Sequence, residues 1–167
     1  MITYEELKNN FFIMAGPNVI ESEEHVFKMA KELKRICDKL KVKFIFKCSF
    51  DKANRSSINS YRGVGIKKGL AILKKVREEL HMPVITDIHN ISHAKLVADS
   101  VDIIQIPAFL CRQTDLLSAA GATGKIVNIK KGQFLAPEGM AQAAGKVSAE
   151  GNEKVWLTDR GTFFGYG

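Results

Sequence analysis

The feature that constrains this chain most is a repeated switch in apolar periodicity. Short, continuous apolar runs alternate with longer stretches in which apolar residues recur at helical spacing. The runs are Phe11–Met14, Val42–Phe46, Val84–Ile88, Val101–Ile106, Ile126–Ile129 and Val155–Thr158. Between the first two, Val26, Met29, Ala30, Leu33, Ile36, Cys37 and Leu40 mark the inward face of a helix. Ser22 is its N-cap, and Glu23 and Glu24 suit the positive end of its dipole. Further helices are predicted around Ile66–Val76, over Ser92–Ala98, from about Thr114, and over the glycine-interrupted stretch Met140–Val147.

Strands that are apolar throughout and separated by helices belong to a parallel sheet covered on both faces. Their starts lie roughly 29 residues apart on average, close to one βα unit of an eight-stranded barrel. A doubly wound open sheet is the competing architecture. It usually carries a G-x-G-x-x-G turn after its first strand, and Gly16-Pro17-Asn18 is not one. The expected fold class is α/β, a (β/α)8 TIM barrel with about six of the eight βα units present. Residues 1–167 are expected to form a single barrel domain, incomplete at the C-terminus. Six strands do not close such a barrel. The first and sixth should therefore leave unpaired backbone and apolar surface, and the chain alone should be poorly soluble, self-associating or inactive.

With 46% hydrophobic residues, 167 residues suffice for one core. Lys and Arg number 25 against 18 Asp and Glu, a formal charge of +7, which favours acidic partners. Their placement narrows the choice. Lys28, Lys31, Lys34, Arg35 and Lys39, with Lys67, Lys68, Lys74, Lys75 and Arg77, fall on outward helix faces. Aromatics sit mainly in strands rather than between basic residues, so nucleic acid is not an expected partner. The run Phe11–Ala15 is far too short to span a bilayer, and no basic n-region precedes it. Cys37, Cys48 and Cys111 show no C-x-x-C spacing, which argues against a disulfide framework or zinc knuckle and fits a cytoplasmic protein without a membrane partner.

The other basic residues are phased to strand ends, where barrel enzymes keep their sites. Lys47, Lys52, Arg55 and Arg62, with Asn54, Ser56, Ser57, Asn59 and Ser60, share the aperiodic segment Lys47–Gly63. A connection that long is usually functional or disordered, and its donors are those that hold phosphate. Arg112 follows the fourth strand, Lys130 and Lys131 the fifth, Arg160 the sixth. Asp87 and His89 share one face by period two, readable as weak metal ligands or as a hydrogen-bonded interior pair. His25, His81 and His93 are expected at the surface. Cys111 beside Arg112 lacks a located histidine and reads as inert.

Taken together, several segments in order closely resemble the 3-deoxy-D-manno-octulosonate 8-phosphate synthase family. They are Gly16-Pro17-Asn18-x-Ile20-Glu21-Ser22, Phe46-Lys47-x-Ser49-Phe50-Asp51-Lys52-Ala53-Asn54-Arg55-Ser56-Ser57, Thr86-Asp87-Ile88-His89, the run Gln105 to Asp115, Asn128-x-Lys130-Lys131-x-Gln133-Phe134 and Asp159-Arg160-Gly161. The resemblance runs from about Phe11 to the last residue, and Lys52 to Ser57 is its most specific part. The related synthase of heptulosonate 7-phosphate carries a Lys-Pro-Arg-Thr-type loop instead, and sialic acid synthases are less similar. The resemblance implies a homotetrameric barrel that condenses phosphoenolpyruvate with arabinose 5-phosphate and water, without a cofactor, in lipopolysaccharide core sugar biosynthesis. Lys47, Lys52, Gln105, Lys130 and Arg160, with the Ala108 backbone, match residues around phosphoenolpyruvate. Asn54, Arg55 and Ser56 match those holding the sugar phosphate, which Arg112 reaches from a neighbouring subunit. Lys52, Asn18, Asp87 and His89 fall at the catalytic centre. Metal-dependent members carry a cysteine at the position of Asn18, so no metal is expected. A His, a Glu and an Asp from the family's last two units have no counterpart here. This leaves open a catalytically incomplete barrel that only binds anions or assembles with a partner.

Overall fold

The computed structural model describes residues 3–163. They fall into two compact units: the residues up to Thr86 with Ser100–Asp102, and Asp87–Asp99 with the residues from Ile103 on. The first holds helix α1 (Tyr4–Lys8), strand β1 (Phe12–Ala15), α2 (Glu23–Leu40), β2 (Lys43–Lys47), α3 (Ile66–Glu79) and all but the last residue of β3 (Val84–Asp87). The second holds α4 (Ile91–Ala98), β4 (Ile103–Ile106), α5 (Thr114–Gly121), β5 (Ile126–Lys130), α6 (Met140–Ser148) and β6 (Val155–Thr158). Short 3-10 turns occupy Ala108–Leu110 and Pro137–Gly139.

The strands form a six-stranded sheet in chain order, β1-β2-β3-β4-β5-β6. Within the first unit, β1 pairs with β2 in parallel from Phe12↔Lys43 to Ala15↔Phe46, and β2 with β3 through Phe46↔Val84. Within the second, β4 pairs with β5 from Ile103↔Ile126, and β5 with β6 from Val127↔Val155, again in parallel. Within each unit the strands run in chain order, without the reversal at which a doubly wound sheet turns back. Helical crossovers between parallel neighbours put the C-terminal ends of each unit's strands on one side.

Apolar content and burial agree. Every residue of β3 and β4 is buried, whereas β1 and β6 are half-exposed, with Leu157 open to solvent. Ser22 caps α2 as expected, accepting from His25 N–H at 3.1 Å. Three expectations need correction. Phe11 lies outside β1 and is 77% exposed. β4 starts at Ile103 rather than Val101, because Asp102 is spent on β3: its N–H donates to Val84 O and its carboxylate accepts from Val84 N–H, each at 3.0 Å. On α2, Val26, Ala30 and Cys37 are buried, but Ile36 and Leu40 are 38% and 64% exposed. Ile36 sits roughly 100° around the helix from Cys37, beyond the covered stripe.

Nothing was expected before Phe11, yet α1 forms there on a capping box. Thr3 Oγ1 accepts from Glu6 N–H at 3.2 Å while the Glu6 carboxylate accepts from Thr3 N–H at 2.9 Å.

Candidate active site

In the first unit, the loops after β1 and β2 are built against each other. Gly16 allows this contact, since a Cβ there would stand 2.0 Å from the Lys47 carbonyl oxygen. Ile20 N–H then donates to Ser49 O at 2.9 Å. Gly16→Ala is expected to lower unfolding free energy by about 1–3 kcal/mol, the usual cost of overpacking. An unchanged urea midpoint would show that the loop gives way freely.

The segment after β2 is a closed loop rather than an irregular one. Lys52 N–H donates to Arg62 O at 2.7 Å, tying its base, and Gly65 N–H donates to Phe50 O at 3.2 Å. Gly63 (φ 128°) and Gly65 (φ 79°) supply left-handed turns that lead into α3. Arg62 grips Asp51 with two contacts, 2.8 Å from Nε to Oδ1 and 2.5 Å from Nη2 to Oδ2. That carboxylate pushes the Arg62 pKa further up. The guanidinium is thus engaged within the loop itself. Arg55 Nε donates to Tyr61 O at 3.1 Å, and Tyr61 Oη donates to Ile20 O at 3.0 Å. Asn18, Asn54, Arg55 and Ser56 are exposed and Lys52 half-buried. Lys47, also half-buried, has its Nζ 3.5 Å from Ser49 Oγ.

In the second unit, Asp87 anchors a chain of side-chain hydrogen bonds across the strands. Its carboxylate accepts from Gln105 Nε2, Gln105 Oε1 accepts from Asn128 Nδ2 at 3.1 Å, and Asn128 Oδ1 accepts from Thr158 Oγ1 at 2.7 Å. Asp87, Gln105 and Asn128 are buried. His89 N–H donates to His93 Nδ1 at 3.4 Å, and the two rings meet edge to face at 6.2 Å. His93 is thus half-buried and engaged, not a surface residue. Ala108 is buried in its 3-10 turn, and Arg112 is exposed while its carbonyl accepts from Lys146 Nζ at 2.9 Å.

The two lysines ending β5 differ. Lys130 is half-buried, whereas Lys131 is only 3% exposed. Lys131 Nζ donates to Gly161 O at 2.7 Å, Leu135 O at 3.1 Å and Gly132 O at 3.4 Å, with Asp159 Oδ1 at 3.5 Å. It locks the loops after β5 and β6 together. The Gly161 N–H, more than Lys131, holds the Asp159 carboxyl below its usual pKa. Arg160 beside it is exposed.

A cavity of about 810 Å³ in the first unit lies at the opposite end, where β2 and β3 begin, between Cys37, Phe44, Arg77 and Met82. None of the expected site residues lines it. Among the described residues, no three His, Cys, Asp or Glu side chains are grouped to hold a metal ion. No described helix is long and apolar enough to cross a membrane. Sequence reasoning missed the Asn128–Thr158 link, the Tyr61 anchor and the cage around Lys131. Only the first left a signal, a polar residue inside an apolar strand.

A family model described as the DAHP synthetase I family matches residues 7–167. The chain is 56% identical over 168 residues to the 2-dehydro-3-deoxyphosphooctonate aldolase of Pisum sativum, covering 99% of this chain and 58% of that protein. The protein of that name from Koribacter versatilis is 56% identical over 155 residues, 93% of this chain and 56% of the relative. In Arabidopsis thaliana, 2-dehydro-3-deoxyphosphooctonate aldolase 1 is 54% identical over 167 residues, 99% of this chain and 58% of the relative. The chain thus spans a little over half the length of these curated relatives.

Proposed function

This chain belongs to the DAHP synthetase I family, and on that premise we propose that it supplies substrate-binding residues of a 3-deoxy-D-manno-octulosonate 8-phosphate synthase. The observation that carries the proposal is 56% identity, over 99% of this chain, to a relative named 2-dehydro-3-deoxyphosphooctonate aldolase. The fold is proposed to be part of a single (β/α)8 barrel domain, and the assembly a cytoplasmic homotetramer. Lys47, Lys52, Gln105, Lys130, Arg160 and the Ala108 backbone hold phosphoenolpyruvate. Asn54, Arg55 and Ser56 hold the phosphate of arabinose 5-phosphate, with Arg112 reaching it from a neighbouring subunit.

The chemistry follows from charge. C3 of phosphoenolpyruvate attacks the sugar aldehyde, whose oxygen becomes a hydroxyl, while water adds at C2. The C2–O bond to phosphate then breaks, releasing inorganic phosphate. Fixed ammonium and guanidinium groups stabilise the developing alkoxide and oxocarbenium character, and holding two anions in register removes much of the entropic barrier. The family resemblance supports giving Lys52 the contact with both substrates near the forming bond, and catalytic roles to Asn18, Asp87 and His89 as well.

Release of labelled phosphate from phosphoenolpyruvate, dependent on arabinose 5-phosphate, tests this reading. Release with a four-carbon aldose phosphate alone would favour the heptulosonate 7-phosphate reaction. Binding of both substrates without release would leave an anion-binding chain. A related expectation concerns metal. The neutral amide of Asn18 is a poor ligand for the soft ions that a thiolate selects. Turnover should therefore survive prolonged chelation, and a loss restored by a divalent cation would overturn the metal-independent assignment.

A further inference from the structure

The chain of hydrogen bonds from Thr158 to Asp87 has a direction that its members are not free to choose. An amide turned over exchanges its donor for its acceptor, and a hydroxyl can act as either. The carboxylate of Asp87 accepts only. It therefore draws the Gln105 NH2 towards itself, which turns the Gln105 carbonyl to Asn128, the Asn128 carbonyl to Thr158, and leaves Thr158 to donate. One charge at the end of β3 thus orients two amides and a hydroxyl on three further strands. The register supports this, since Gln105 and Asn128 are direct partners across β4 and β5.

Each amide NH2 carries two hydrogens and the chain uses one. Gln105 is 4% exposed and Asn128 fully buried, and no described acceptor takes the second hydrogen of either. Two buried N–H donors on neighbouring strands are thereby left over. Reversing the chain would turn the Gln105 carbonyl the other way.

We propose that Asp87 is a positioning residue: with Asn128 and Thr158 latching the far end, its carboxylate turns Gln105 so that an N–H, not a carbonyl oxygen, meets phosphoenolpyruvate. This rests on the function proposed above. It makes Asn128 and Thr158, which touch no substrate in that reading, determinants of substrate affinity.

The test uses the 167-residue chain, with phosphoenolpyruvate as the titrant and ¹⁵N spectra of the side-chain amides as a second readout. Asp87→Asn places an amide where the fixed acceptor stood, so either direction becomes possible. Doubled amide signals for Gln105 and Asn128 are expected, with phosphoenolpyruvate binding weakened about tenfold or more. The double substitution Asp87→Asn with Asn128→Asp moves the carboxylate to β5. There it accepts from both Gln105 Nε2 and Thr158 Oγ1, so the three links of the chain are again made but Gln105 is reversed. Single amide signals and a near-original melting temperature should return, while phosphoenolpyruvate affinity stays low. A role in packing alone would restore stability and affinity together, and that result would overturn the proposal. So would a single set of amide signals with undiminished affinity in Asp87→Asn. If the unsubstituted chain binds no phosphoenolpyruvate, the functional reading fails and the role given to Gln105 with it. The amide spectra still decide whether Asp87 sets the direction.

Discussion

Arg55→Ala should weaken arabinose 5-phosphate by about 2–5 kcal/mol, the usual loss when one partner of a desolvated charge pair is removed. Phosphoenolpyruvate should be almost unaffected. The loop explains why the loss falls on one substrate. Arg55 Nε is held by Tyr61 O, Tyr61 is anchored to Ile20 O, and the base of the loop is closed by Lys52 and Arg62. Among the described residues neither Nη group makes a hydrogen bond, and the exposed guanidinium is tethered through Nε alone. That tether lowers the side-chain entropy lost on binding. Lysine should not rescue the variant, because it lacks the planar fork that takes two phosphate oxygens at once. Separate titrations of the two substrates decide the matter, and equal losses for both would reject Arg55 as the sugar-phosphate clamp.

Lys131→Ala should lower unfolding free energy by about 3 kcal/mol or more, because three carbonyl oxygens lose their donor at about 1–3 kcal/mol each where water does not replace it. The ion pair with Asp159 adds little, since that carboxylate is largely in solvent. Lys131→Met keeps most of the volume without the charge, so a similar loss in both variants would assign the effect to the hydrogen bonds. Lys130→Ala should instead reduce phosphoenolpyruvate affinity with a smaller change in stability. Urea unfolding and ligand titration of the three variants separate the neighbours. A loss below about 1 kcal/mol for Lys131→Ala would mean that water satisfies the carbonyls.

Much of the architecture was legible because it is written locally. All six strands lie within two residues of their apolar runs, and five helices lie where the periodicity put them. The capping box that starts α1 was equally local, a Thr3 three residues before Glu6, but no apolar run follows to draw attention to it. The closed loop between β2 and α3 was recognisable by its length and polar content. Its internal bonds were not.

What the sequence determined by itself is the kind and order of elements, and the segments through which the chain resembles its relatives. Periodicity follows from the pitch of a helix and the pleat of a strand, so a window of a dozen residues contains it. The tertiary structure alone decided partnership. Asp87 binds Gln105, Arg62 binds Asp51, and Lys131 gathers carbonyls from two loops. These partners lie 18, 11 and up to 30 residues apart. A hydrogen bond forms only within about 3 Å, and that distance is set by the register of parallel strands and the path of each loop. No local pattern of residues specifies either.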